Sequence, residues 1–125
     1  MNVSQIHSTV PVISTDDIEK SLAYYQHVLG FAFDFQYGDP PVYAGVHSGN
    51  AEIYFTHSPA LVKFLRDQSF HPDIFIWIND ADYLFKLHVQ NGAEVIEPLS
   101  NRPWGARQYV VRDINGYHLK FAQPI

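Results

Sequence analysis

The spacing of apolar residues changes period several times along the chain, and each change marks an expected element. Residues 8–14 read as a strand whose Pro11, lacking an N–H, suits an edge, a strand start or a bend. Asp16 then offers a helix cap with Glu19 as its capping-box partner. Ile18, Leu22, Tyr25 and Leu29 follow at helical spacing until Gly30 stops the helix. Over 31–37 the period falls to two, with Phe31, Phe33, Phe35 and Tyr37 on one face. A turn at 38–41 leads into strands at 42–47 and 51–56, joined as a hairpin by Ser48-Gly49-Asn50. Residues 58–69 lack strand alternation and read as a short helix or ordered connection.

The second half repeats the order. Residues 73–78 read as a strand, and Asn79 as a cap with Asp82 three positions on. Ala81, Leu84, Phe85 and Val89 form the helical stripe, which Asn91-Gly92 ends. A strand at 93–98, a loop at 100–105 and strands at 107–112 and 117–121 around Asp113-Ile114-Asn115-Gly116 complete it. Residues 45–55 also resemble 110–121 in sequence, at an offset of about 65 residues, too long for a small solenoid unit. A twofold internal duplication is the simple account. The expectation is one α+β domain over 1–125: a βαβββ module at about 7–57, a connector at 58–70 and a second βαβββ module at about 71–123. Two mixed four-stranded sheets, each covered by one helix, would cup a cleft between them.

Composition narrows the chemistry. The 125 residues contain no cysteine, which removes thiolate metal sites and cysteine nucleophiles. A net charge of −5 without a basic run disfavours a nucleic-acid backbone as partner. No apolar run approaches the ~20 residues that span a bilayer. The first residues lack the basic-then-apolar pattern of a signal peptide, so a cytoplasmic protein is expected. Nine Phe, eight Tyr and two Trp are more aromatic rings than the core of so small a domain readily holds. They suit either a rich core with some surface tyrosine or an aromatic-lined pocket.

Several segments then carry a resemblance. Ser21-Leu22-Ala23-Tyr24-Tyr25 followed by Val28-Leu29-Gly30-Phe31, then Pro103-Trp104-Gly105, then Arg112-Asp113-Ile114-Asn115-Gly116 resemble the glyoxalase / bleomycin resistance / extradiol dioxygenase (vicinal oxygen chelate) superfamily. Val10-Pro11-Val12-Ile13, Tyr43-Ala44-Gly45-Val46 and Trp77-Ile78 look like its bleomycin resistance branch. The likeness spans about residues 8–122 and rests on the order and spacing of these segments. It implies paired βαβββ modules in a homodimer, binding a bleomycin-type glycopeptide without degrading it. It also implies a first strand that crosses to the other subunit, with Pro11 at the hinge.

Enzymes of the superfamily hold a divalent metal with one His, Glu or Gln from the first and last strand of each module. Those four positions fall on Val10, Tyr54, Asp73 and Lys120. Valine has no donor atom, lysine is a cation at neutral pH, and an un-ionised tyrosine is a poor ligand. A register shift of one residue does not restore four donors. The resemblance therefore carries the fold and argues against the metal enzymes.

Strand alternation supplies the expected ligand-binding residues. Tyr54 shares a face with Glu52 and Thr56; Asp73 with Phe75 and Trp77; His118 with Lys120; Val10 with Val12. The second strand offers Phe33 and Phe35, the third Tyr43, and the loop Trp104 as a lid. The expected set is Phe35, Tyr43, Tyr54, Asp73, Phe75, Trp77, Trp104, His118 and Lys120, with dimer-interface or core packing as the competing use of the aromatics. Arg107 suits an anionic ligand group, Glu52, or the solvated surface. Of the seven histidines none forms a helical i, i+4 pair, and His27 and His88 are expected at the polar edges of helices. Surface placement is their simplest account; a non-standard site from His47, Glu52, Asp73 and His118 is the alternative.

These features support a small-molecule binding protein with no catalytic residue, cofactor or resident metal, taking an aromatic or cationic ligand in an aromatic-lined dimer cleft. The alternative is a lyase, isomerase or dioxygenase on the same fold, using a metal or Glu52 and Asp73 as an acid–base pair.

Overall fold

A computed structural model describes residues 4–67 and 71–125. Its elements run β1 (Val12–Thr15), α1 (Ile18–His27), β2 (Ala32–Tyr37), β3 (Tyr43–Ser48), β4 (Ala51–His57), α2 (Pro59–Arg66), β5 (Asp73–Trp77), α3 (Ala81–Gln90), β6 (Glu94–Arg102), β7 (Ala106–Arg112) and β8 (His118–Pro124). They form two four-stranded sheets: sheet A in the order β1-β4-β3-β2, and sheet B in the order β5-β8-β7-β6. In each, the first strand runs parallel to the fourth and the others pair antiparallel, so both sheets are mixed. This is the expected α+β architecture. Residues 68–70 of the expected connector, and 1–3 of the first segment, lie outside the described residues. Among those described, no helix is long and apolar enough to cross a membrane.

Local chemistry moved several boundaries. Asp17, not Asp16, caps α1, accepting from the Lys20 N–H at 3.1 Å. Asp80, not Asn79, caps α3, accepting from the Tyr83 N–H at 3.0 Å. Each cap must sit one residue before the first helical turn to reach its free N–H groups, and Asp16 instead meets Arg66 of α2. The first strand begins at Val12, later than expected, although the Pro11 carbonyl still accepts from the Tyr54 N–H. In β2 a bulge between Phe33 and Phe35 pairs Phe33 with Val46 and Phe35 with Gly45. The two rings therefore face opposite sides, not one side.

Each sheet buries one face under its helix. In sheet A that face holds Ile13, Ala44, Val46, Ile53 and Phe55 against Ile18, Leu22 and Tyr25 of α1. In sheet B, Tyr109, Val111, Leu119 and Phe121 are buried, while Ile74 and Ile76 pack beside them. The two cores are continuous and fastened at two polar points. At one, the β7–β8 turn enters module one: Asp113 Oδ2 accepts from the Tyr25 hydroxyl at 2.6 Å, Asn115 donates to Ser21, and the Tyr117 hydroxyl accepts from the Ser14 N–H. Gly116, at φ +92°, completes the turn in a conformation other residues rarely take.

At the other, His88 is fully buried, so its expected place at a polar helix edge is wrong; Val89 is the exposed residue. Its Nδ1 accepts from the Tyr109 hydroxyl at 2.8 Å, and its Nε2 donates to the Leu29 carbonyl at 3.2 Å. Burial lowers the imidazole below its usual range, keeping it neutral. Because the folded pKa lies below the unfolded one, this contribution is full above the unfolded value near 6.5 and fades as pH falls through it. We expect the wild type to lose thermal stability between about pH 7 and 5, and His88→Leu to show a shallower slope there despite a lower Tm at neutral pH. Parallel slopes in thermal melts would contradict this.

Candidate functional site

The sheet faces away from the helices are open. On sheet A, Tyr54, Gly45 and Phe35 lie side by side across β4, β3 and β2, and Tyr43 is the next residue of β3 on that face. Gly45 decides what stands above it. A Cβ there would collide with the Phe35 ring and lie 2.9 Å from Tyr54 Cδ1. Without one, the rings close over the strand. Phe35 meets Tyr54 edge-on at 5.0 Å between centroids and stacks on Tyr43 at 6.0 Å, and Tyr43 lies 5.9 Å from Tyr54. The Tyr54 hydroxyl reaches Glu52 at 3.4 Å. Desolvation, then the Glu52 carboxylate, pushes the phenol up, so it stays un-ionised.

On sheet B, Asp73, Phe75 and Trp77 are exposed along β5 while Ile74 and Ile76 turn inward. Phe75 and Trp77 meet edge-on at 4.8 Å. Asp73 and His118 are direct cross-strand partners, as are Phe75 and Lys120. Lys120 Nζ donates to Asp73 Oδ2 at 3.0 Å, and Asp73 Oδ1 lies 2.8 Å from His71 Nδ1. Partial burial pushes the Asp73 carboxyl up, but Lys120 and then His71 outweigh it, and the net shift is down. Burial and then the neighbouring His71 hold His118 below its usual range. Trp104 is exposed, with its indole N–H 3.4 Å from Gln108 on the same face.

The expected site residues lie on these faces as two groups, while Phe33, which alternation also offered, faces the other way. Phe35, Tyr43 and Tyr54 stand together on sheet A; Asp73, Phe75, Trp77, His118, Lys120 and Trp104 stand on sheet B. At the seam between the modules are a cavity of ≈ 510 Å³ lined by Leu29, Phe31, Ile76, Trp77, Leu84 and Phe121, and one of ≈ 340 Å³ that includes Phe75 and Trp77. Arg107 meets neither a cleft nor Glu52. It makes a two-bonded pair with Asp82 at the start of α3, on the helix side of the sheet. His71 is not among the expected site residues. It lies two positions before Asp73, and the alternation that selected Phe75 and Trp77 also reaches it when extended backward.

The four strand positions do not form a metal centre. Val10 has no donor atom, Tyr54 is a neutral phenol, and the ammonium of Lys120 already occupies one oxygen of Asp73. A cation placed there would meet one shared carboxylate and a positive charge.

Two βαβββ modules, each a mixed four-stranded sheet with a helix against one face, define the class of fold. The sequence model described as the Glyoxalase/Bleomycin resistance protein/Dioxygenase superfamily matches residues 5–121, and the chain belongs to that superfamily. Among solved structures it resembles TioX from Micromonospora sp. ML1, with TM-score 0.80 and 20% identity over 95% of this chain and 99% of that one. It resembles the bleomycin-binding protein from bleomycin-producing Streptomyces verticillus, complexed with copper(II)-bleomycin, with TM-score 0.77 and 21% identity over 98% and 100%. TnmS3, an antibiotic binding protein from Streptomyces sp. CB03234, superposes with TM-score 0.78 and 20% identity over 99% and 100%. No curated protein matches the chain.

Proposed function

We propose that this protein binds and sequesters an aromatic or cationic small molecule of the bleomycin glycopeptide type, between sheet A of one subunit and sheet B of its partner in a C2 homodimer. The observation that carries this reading is the ring cluster of Phe35, Tyr43 and Tyr54 on an open sheet face above Gly45. Three rings standing on a strand, with no Cβ beneath two of them, offer edges and faces to a flat ligand and do nothing for the core behind the sheet. Phe75, Trp77 and Trp104 supply apolar surface on the opposing sheet. The net charge of −5 favours approach of a cation. The antibiotic-binding proteins of the same fold support the ligand class.

The mechanism is burial and stacking, and it needs no metal at the four strand positions. The competing acid–base reading lacks a free carboxylate, because Glu52 bonds to Tyr54 and Asp73 is held by His71 and Lys120. The expected result is that a bleomycin-type glycopeptide changes the fluorescence of Trp77 and Trp104 and releases or absorbs heat on titration, at one ligand per cleft. A flat response in both measurements would remove the proposed ligand. A monomeric mass by light scattering at micromolar concentration would remove the two-subunit cleft.

A further inference from the structure

We propose that His71, Asp73 and His118 form a site for a divalent transition-metal ion at the edge of sheet B, where β5 and β8 begin. This goes beyond the small-molecule reading and does not depend on it. The site differs from the superfamily's four strand positions, of which it uses only Asp73, and it needs neither module one nor a second subunit.

The backbone brings the three residues together. Asp73 and His118 face each other across the β5–β8 pair. His71 lies two residues before Asp73, where its ring stacks on His118 with centroids 3.3 Å apart and planes inclined by 16°. One ligand atom from each residue lies within 4.8 Å of the other two. Donors about 2.0–2.2 Å from a tetrahedral metal stand about 3.3–3.6 Å from one another, so the set closes when one imidazole turns out of the stack and brings its in-plane lone pair to the shared ion. Two imidazoles and a carboxylate are intermediate donors that suit Zn²⁺, Ni²⁺ or Cu²⁺, not Ca²⁺ or Mg²⁺.

Two details of the surroundings bear on how such a site works. His71 and Asp73 are exposed and His118 is half-buried, so an ion has a path in and keeps positions open to water or to a donor atom of another molecule. Lys120 holds Asp73 Oδ2, while Oδ1 is turned toward His71. Lys120 therefore orients the carboxylate and also opposes the ion by its charge. This gives the site a signature that a chance histidine pair lacks: removing Lys120 should tighten it.

The test uses the full chain, stripped with a chelator and titrated with Zn²⁺ or Ni²⁺ alone by calorimetry, and with Co²⁺ as an optical probe. The expected result is one ion per chain, with His71→Ala or His118→Ala weakening it roughly tenfold or more, since even indirect partners of a metal site are worth 10–100-fold. Lys120→Gln is expected to tighten it roughly tenfold or more, the effect of one unit charge on a divalent ion about 5 Å away in a water-like dielectric. Circular dichroism checks that each variant is folded. No binding by the wild type, or an ion retained by the folded His71→Ala/His118→Ala double variant, would overturn the proposal. Weaker binding by folded Lys120→Gln would overturn the described arrangement. The metal-stripped protein titrated with a glycopeptide reports separately on the cleft.

Discussion

Replacing Asp113 by alanine is expected to destabilise the protein by about 3–5 kcal/mol, while Asp113→Asn stays within about 1 kcal/mol of the wild type. Asp113 is buried and meets three donors: the Tyr25 hydroxyl at Oδ2, and the N–H groups of Asn115 and Tyr117, each 2.9 Å from Oδ1. Alanine leaves all three without a partner inside the protein, at about 1–3 kcal/mol for each. It also loosens the turn through which module two reaches module one. Asparagine keeps its carbonyl for the two N–H groups and can donate its amide to the Tyr25 oxygen.

The pH dependence separates charge from shape. Burial pushes the Asp113 carboxyl up, and the hydrogen bonds that pull it down, from Tyr25 first and then the turn's N–H groups, do not fully offset this. With the folded pKa above the unfolded one, the folded state holds the proton more tightly. Wild-type stability therefore declines as pH rises through that interval, and the asparagine variant lacks the decline. The variant should gain on the wild type as the solution goes from acid to neutral. Chemical denaturation of the three proteins at two pH values measures this. An alanine variant within about 1 kcal/mol of the wild type would mean that water replaces the carboxylate without loss.

Asp113 also illustrates what was legible. The segment Arg112-Asp113-Ile114-Asn115-Gly116 stood out as a hairpin turn and as part of a family resemblance. Sequence could not tell that its side chains bond into the other module, because Ser14, Ser21 and Tyr25 carry no pattern that names a partner 88 to 103 residues away. The same limit applies to His88. Leu84 and Phe85 mark its helix, but whether a histidine on the stripe's edge is buried depends on a phenol and a carbonyl from other elements.

Elements were readable because their signals are local: period two in β4 and β5, period 3.6 in α1, and glycines past both long helices. Boundaries slipped where adjacent residues competed, as in Asp16-Asp17 and Asn79-Asp80, each pair offering two competent caps. Face assignment held wherever a strand was regular. It failed at the β2 bulge, since one extra residue inverts parity and nothing in Phe33-Asp34-Phe35 announces it. The open-face residues were found by alternation, whereas their division between two sheets is a three-dimensional fact that alternation does not carry.

Gly45→Val is expected to leave the protein folded and to weaken ligand binding by roughly 10–100-fold, about 1.5–3 kcal/mol if two or three aromatic contacts are lost. The glycine sets what can stand above β3. Its neighbours across the sheet are Phe35 and Tyr54, whose rings close over the space a Cβ would fill. Valine suits a strand, and Gly45 has no positive φ, so the backbone has no reason to resist the change. The strain falls on the rings. Phe35 and Tyr54 are half-buried on an open face and can swing toward solvent, so the fold loses about 1–2 kcal/mol at most. The ring cluster does not survive that movement, because Tyr43 stacks on Phe35 and meets Tyr54 edge-on. Phe35→Leu should reproduce the binding loss without crowding β3, which distinguishes a lost ring from a displaced strand. Calorimetry with a bleomycin-type glycopeptide, beside thermal melts of the same samples, reads both effects. Unchanged affinity in a folded Gly45→Val protein would show that the ligand does not rest on this face. A collapse in stability with no folded fraction would show that the rings are locked by the sheet, and would assign the cluster to structure.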